Sequence, residues 1–109
     1  MAFTTDSSME GDAAVVRFEG ELDLATAPKA ETALRDLEEA EQPPGRIVLD
    51  LRGVRFLDST GLRVILAADS RARRDGRRVQ VIAGPEAVHR VFRIALLDRR
   101  LEFIEAEGT

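Results

Sequence analysis

The sequence contains no cysteine, tryptophan or tyrosine, and it has one histidine and one lysine in 109 residues. Without cysteine there can be no disulfide, thiolate chemistry or sulfur-ligated metal, and one histidine cannot build a multi-histidine metal site. We therefore expect neither a metal nor a cofactor. No apolar run approaches the roughly 18 residues of a membrane span. The N-terminal segment also lacks the basic and apolar regions of a signal peptide, so we expect a cytoplasmic protein that does not associate with membranes.

The charge balance gives no sign of a nucleic-acid partner. Lysine and arginine together number 16, aspartate and glutamate number 20, and the net charge is −4. A nucleic-acid-binding domain normally shows a basic excess, which is missing here, so we expect no nucleic-acid partner. A chain of this length forms one domain and buries roughly two-thirds of its unfolded surface. We expect residues 1–109 to form that domain, with its core between about residues 13 and 104.

Hydrophobic periodicity predicts an α/β protein in which strands and helices alternate. The order is β-β-α-β-α-β-α-β, with an antiparallel hairpin first and parallel, right-handed crossovers after it. Gly20 and Gly53 are each expected to end a strand. The predicted strands are Phe3–Ser8, Ala13–Glu19, Ile47–Leu51, Arg78–Ala83 and Leu101–Ile104. The predicted helices begin near Pro28, at the segment 58–62, and after Gly84-Pro85.

Polar residues inside the predicted strands indicate which faces of the sheet are covered. Strands that are buried on both faces are apolar at every position. These strands are interrupted by Arg17, Asp50, Gln80 and Glu102. The pattern therefore predicts a mixed sheet of four to five strands with the helices mainly on one face.

The segment from Asp58 to Gly61 places three hydroxyl or carboxyl side chains at the start of the second helix. Asp, Ser and Thr can all cap a helix, so the segment could have no further role. A serine nucleophile is disfavoured because the segment is not G-x-S-x-G, and we expect the one possible partner, His89, on the solvated side of the third helix. No phosphate-binding glycine loop is present. Gly61, without a side chain, could let another backbone approach closely.

The second helix carries more apolar surface than a helix that only covers a sheet would need. Ala67 is expected on the outer side, near Arg63 and Arg71, with Val64 at its margin. Alanine is a good helix former anywhere, so this placement could be incidental. It could also mark a small contact surface beside Ser59.

Four segments together resemble the STAS domain of the anti-sigma factor antagonist family. They are GELDLATAP (20–28), VLDL (48–51), FLDSTGL (56–62) and the segment from Gly84-Pro85 to Val91-Phe92. The resemblance covers about residues 13–104. It implies a mixed sheet with helices wound as a β/α superhelix. Family members usually end in a C-terminal helix, for which the residues after Ile104 offer no candidate.

The resemblance also implies a function. Members of this family bind an anti-sigma factor that is also a serine kinase, and so release a sigma factor. Phosphorylation of the serine that follows the aspartate, here Ser59, abolishes binding, and a serine phosphatase restores it. The protein itself is then not an enzyme. The implied partner-binding residues, with the helix surface described above, are Asp23, Thr26, Asp58, Ser59, Thr60, Gly61, Leu62, Arg63 and Ala67.

Two other functions remain open from the sequence. One is a STAS adaptor subunit of a transporter or lipid-trafficking complex, in which Ser59 would only cap a helix. The other is a domain that binds a small molecule or acts as an enzyme, for which no catalytic constellation is visible. For an anti-sigma factor antagonist we expect a monomer or a weak dimer.

Overall fold

The structure is a computed structural model that describes residues 2–106. The order of elements predicted from the sequence is confirmed. The strands are β1 (Thr4–Glu10), β2 (Ala13–Leu22), β3 (Arg46–Leu57), β4 (Arg78–Ile82) and β5 (Glu102–Ile104). The helices are α1 (Ala27–Glu38), α2 (Ser59–Arg74) and α3 (Glu86–Ile94). Within residues 2–106, none of the helices combines the length and the hydropathy that a membrane span requires.

The five strands form one mixed sheet in the order β1-β2-β3-β4-β5. β1 and β2 are antiparallel and joined by a tight turn, with Glu10 opposite Ala13. β2, β3, β4 and β5 are parallel neighbours, because a helical crossover leads from each of these strands to the next. The predicted hairpin at the edge of the sheet is therefore confirmed.

One face of the sheet carries the helices and the hydrophobic core. The core side chains alternate along each strand, as the pleat requires. All three helices contribute to the same cluster, through Leu34, Ile65 and Phe92. The strand residues in this cluster include Ala14, Val16, Phe18, Ile47, Leu49, Leu51, Val79 and Val81. Asp50 and Gln80 occupy the intervening positions and lie on the other face, which confirms helical cover mainly on one side.

The prediction that Gly20 and Gly53 end strands was wrong. β2 and β3 continue through them, with Glu19 opposite Gly53 and Gly20 opposite Val54, and the register shifts on either side. A Cβ on Gly53 would lie 2.7 Å from the Cγ of Glu19. Glycine here lets two irregularly paired strands approach closely. From the sequence alone, a glycine with this role cannot be distinguished from one that ends a strand.

Part of the side of α2 that was predicted to face outward is covered by α1 and the core. Val64 is only 8% exposed and belongs to the core cluster. Arg71 is buried and its guanidinium contacts Glu38 and Glu31 on α1. The Glu38 side chain is only 8% exposed in this ion pair. The side of α2 that carries Val64 and Arg71 is therefore covered by the molecule itself.

Asp50 is a buried carboxylate on the sheet face that carries no helix. It is 1% exposed, and its oxygens accept hydrogen bonds from the backbone N–H and the guanidinium of Arg52 and from the Nε of Arg17. Burial alone would raise the pKa of Asp50, but the hydrogen bonds from Arg52 and Arg17 together hold that pKa below its usual value.

This lowered pKa predicts a contribution of Asp50 to acid stability. A carboxyl whose pKa is lower in the folded state stabilises the fold above its unfolded pKa, and the contribution is lost as the pH falls through the folded pKa. We expect Asp50→Ala to reduce the free energy of unfolding at pH 7 by about 1–3 kcal/mol. The difference from wild type should shrink below about pH 4. Urea titrations at pH 7 and pH 3 measure both values, and a constant difference would contradict this assignment.

Candidate partner-binding site at the start of α2

The β3–α2 junction is built around the side chain of Asp58. Asp58 has extended backbone angles, with φ −108° and ψ −176°, and is the N-cap of α2. Its Oδ1 accepts hydrogen bonds from the backbone N–H groups of Thr60, at 2.9 Å, and Gly61, at 3.0 Å. Two of the N–H groups that a helix start leaves without intrahelical partners are thereby satisfied. Capping is thus part of the role of this segment, and it is carried by Asp58.

The two hydroxyl residues that follow Asp58 differ in accessibility. Ser59 is the first residue of α2 and is exposed, whereas Thr60 is half-buried. A modifying enzyme needs access to the hydroxyl, so Ser59 is the better placed of the two. The residue types alone did not separate these two candidates.

The loop between β2 and α1 lies directly beside this junction. The backbone N–H of Asp58 donates to the carbonyl oxygen of Leu22 at 3.3 Å. Its Oδ2 accepts from the backbone N–H of Leu24, also at 3.3 Å. Asp58 therefore connects two segments that are more than 30 residues apart in the sequence, and it brings Asp23 and its neighbours next to Ser59.

The side chains of Asp23 and Thr26 form hydrogen bonds within their own loop. The Oδ1 of Asp23 accepts from the backbone N–H groups of Ala25 and Thr26, at 3.0 and 3.2 Å. The Thr26 hydroxyl donates to the carbonyl oxygen of Glu21 at 2.7 Å and accepts from the N–H of Asp23 at 3.0 Å. These bonds fix the loop that leads into α1. As proposed partner-binding residues, both would act at least partly by shaping this loop.

Gly61 and Leu62 point into the protein. Leu62 is 8% exposed and belongs to the core cluster. A Cβ added to Gly61 would lie 2.6 Å from the carbonyl oxygen of Leu22 and 2.9 Å from a methyl carbon of Leu57. The expectation that Gly61 makes room for another backbone is therefore met by β2 of the same chain. The space beside Gly61 is thus filled by Leu22 and Leu57 of the chain itself.

The close approach at Gly61 predicts a stability defect. We expect Gly61→Ala to lower the free energy of unfolding by about 1–3 kcal/mol, because the strand backbone at Leu22 must shift to accommodate a methyl group. Gly45→Ala is the matched control, since a Cβ there has its nearest neighbour, the Oδ2 of Asp12, at 3.9 Å. Chemical denaturation of the two variants measures the contrast. Equal stability of both would show that the tight contact does not exist in solution.

Several side chains around Ser59 remain available on the surface. Arg63 is exposed and Ala67 is half-buried on α2. Leu24 is 73% exposed and Phe56 is 50% exposed, although both are large and apolar. The exposure of Leu24 and Phe56 was not predicted from the sequence. Leu24 continues the polar–apolar alternation of Glu21, Leu22 and Asp23 past the end of β2, so the sequence pattern alone does not show that its side chain lies outside the core.

His89 does not lie on the solvated side of α3, as the sequence suggested. It is half-buried, with its ring centroid 4.8 Å from that of Phe103 in an edge-to-face arrangement and 6.1 Å from that of Phe92. β5 covers this side of α3, which the helical pattern alone could not show. His89 is thus part of an aromatic cluster under β5.

The fold and this junction define a small α/β domain with an exposed serine directly after the capping residue of its second helix. The family model described as "Mlab, STAS domain" matches residues 5–105. The match covers nearly the whole chain. This protein belongs to the STAS family.

Solved structures of anti-sigma factor antagonists share this fold. The antagonist from Mycobacterium paratuberculosis is 27% identical, with a TM-score of 0.86 over 97% of this chain and 88% of that chain. SpoIIAA in its unphosphorylated form is 17% identical, with a TM-score of 0.70 over 96% of this chain and 89% of that one. The phosphorylated form of Bacillus SpoIIAA is 18% identical, with a TM-score of 0.72 over 98% of this chain and 93% of that one. At these identities SpoIIAA shows the fold alone, and it does so in both phosphorylation states.

Proposed function

We propose that this protein is an anti-sigma factor antagonist that is switched off by phosphorylation of Ser59. When Ser59 is unphosphorylated, the protein binds an anti-sigma factor with serine kinase activity and so releases a sigma factor. The observation that supports this most strongly is the exposed Ser59 directly after the Asp58 cap, in a chain whose fold matches a known antagonist. Ser59 and Arg63 would form the centre of the partner-binding surface, and Asp58 would hold this turn in place through its hydrogen bonds.

The charge at this surface explains how one phosphate would act. An unmodified serine is small and neutral, whereas a phosphate adds about −1.5 to −2 charges. The N–H groups of Thr60 and Gly61 are already bonded to the Oδ1 of Asp58. The phosphate on Ser59 would therefore stay at the surface beside a carboxylate. Phosphorylation would thus alter the surface that the partner contacts while the fold persists.

We propose that the protein is the substrate of a kinase and a phosphatase and is not itself an enzyme. The anti-sigma factor would supply the kinase, and a separate serine phosphatase would remove the phosphate. His89, the one histidine, is packed against Phe92 and Phe103 and lies outside the Asp58–Ser59 turn. We therefore expect no catalytic activity from the purified protein, and reproducible NTP hydrolysis that is lost on Ser59→Ala would contradict this.

A binding and release experiment tests the proposed function. The purified chain would be titrated calorimetrically with each anti-sigma factor of the same bacterium, both alone and in complex with its sigma factor. We expect one of them to bind and its sigma factor to be displaced. Absence of binding to every anti-sigma factor would contradict the proposal.

Membership of the STAS family is also compatible with a second candidate, which the sequence had left open. A chain that matches the model described as "Mlab, STAS domain" could be a STAS adaptor subunit of a transporter or lipid-trafficking complex. In that role Ser59 would not be phosphorylated. Co-purification with transporter subunits, with equal recovery by wild type and Ser59→Asp, would favour the adaptor.

A further inference from the structure

Leu24 presents an exposed apolar side chain from a hydrogen-bonded loop. Its side chain is 73% exposed although leucine is strongly apolar, and its backbone is held by a hydrogen bond to the residue that precedes Ser59. The neighbouring loop bonds of Asp23 and Thr26 also restrict the backbone on both sides of Leu24. The exposed side chain is therefore presented from a fixed backbone.

We propose that Leu24 is the apolar anchor of the partner interface and that Asp58 is the positioning residue that holds it in place. This inference rests on the function proposed above and specifies the surface through which it operates. The anti-sigma factor would offer an apolar pocket for Leu24 next to the surface that receives Ser59. Burial of the exposed Leu24 side chain in such a pocket would remove its apolar surface from water, which favours binding.

The two oxygens of the Asp58 carboxylate have separate tasks, and this makes the proposal testable. Oδ1 caps α2 through Thr60 and Gly61, whereas Oδ2 accepts from the N–H of Leu24. An asparagine can keep the capping oxygen, since Asn and Asp are equally good N-caps. Its amide nitrogen would then face the N–H of Leu24, and two donors cannot bond to each other. Asp58→Asn thus removes the hydrogen bond to Leu24 and preserves the cap of α2.

The anchor itself is tested by Leu24→Ala with Ile94→Ala as the matched control. Ile94 is also 73% exposed but lies at the C-terminal end of α3. In calorimetric titrations with the anti-sigma factor, we expect Leu24→Ala to weaken binding roughly tenfold to hundredfold, as full burial of a leucine implies. Ile94→Ala should stay within about twofold of wild type, because an exposed side chain outside the interface contributes little.

The positioning role of Asp58 is tested first in the free protein and then in the complex. We expect the backbone amide of Leu24 to exchange with solvent faster in Asp58→Asn than in wild type, while the amides of Thr60 and Gly61 and the melting temperature remain unchanged. In the complex, Asp58→Asn and Leu24→Ala should be non-additive, because the first acts through the second. Fully additive losses would overturn the positioning role, as would an unchanged Leu24 amide.

The same titrations separate this inference from the proposed function. If Ser59→Asp weakens binding and Leu24→Ala does not, the anchor is wrong and the switch stands. If Leu24→Ala weakens binding and Ser59→Asp does not, the anchor stands and the switch is wrong. If wild type binds no anti-sigma factor, both are overturned.

Discussion

Ser59→Asp should lose the anti-sigma factor while melting like the wild type. An unpaired charge forced into an interface costs on the order of 2–5 kcal/mol, which is about 30-fold to several-thousand-fold in affinity. The fold should be unaffected because Ser59 is exposed and the α2 cap is made by Asp58. Calorimetric titration gives the affinity, and a thermal melt of the same sample gives the stability.

The control for this prediction is Ser59→Ala. It should bind like unphosphorylated wild type, because only a small hydroxyl is removed, and it should resist inactivation by the kinase. Thr60→Asp provides a second comparison at a half-buried neighbour. Equal affinity of wild type and Ser59→Asp would show that Ser59 lies outside the interface.

Arg71→Met should be strongly destabilising. The guanidinium of Arg71 binds both carboxylate oxygens of Glu38, at 2.6 and 2.9 Å, and it joins α2 to α1. The side chains are only 11% and 8% exposed, so removing the cation leaves a buried, uncompensated carboxylate. Such changes cost about 3–5 kcal/mol. Denaturant unfolding at pH 7 measures the loss.

A second variant distinguishes the buried charge from lost packing. Replacing both partners, in Arg71→Met combined with Glu38→Met, should recover most of the stability, because no unpaired charge remains. Arg35→Met removes a more exposed ion pair with Glu31 and should cost less than about 0.5 kcal/mol. If Arg71→Met is no worse than Arg35→Met, the ion pair between the helices does not form as described.

The order and type of the elements follow from local patterns. Period-2 alternation in residues 13–19, the apolar run 47–51 and the helical spacing after Gly61 each depend on neighbouring residues. The start of α2 was also predictable, since Asp58 is a strong capping residue at a strand end. The helix start that carries Ser59 could therefore be predicted from local residues, whereas the choice of Ser59 over Thr60 as the switch residue rests on the family resemblance.

The errors all concern contacts between distant segments. Gly53 continues β3 because β2 approaches it, and Val64 is buried because the helices and the sheet enclose that side of α2. His89 is packed under Phe103, which follows it by 14 residues. The hydrogen bond between Asp58 and Leu24 spans 34 residues. No local pattern encodes such pairings, so the detailed surface around Ser59 required the structure.

The most direct test of the phosphorylation switch is to let the anti-sigma kinase modify the protein and then measure both the site and the affinity. Peptide mass spectrometry locates the phosphate, and titration of the fully modified protein gives its binding. We expect one phosphate on Ser59, a melting temperature close to that of the unmodified protein, and affinity reduced at least about 30-fold. Phosphate on Thr60, or undiminished binding by protein phosphorylated on Ser59, would contradict the switch.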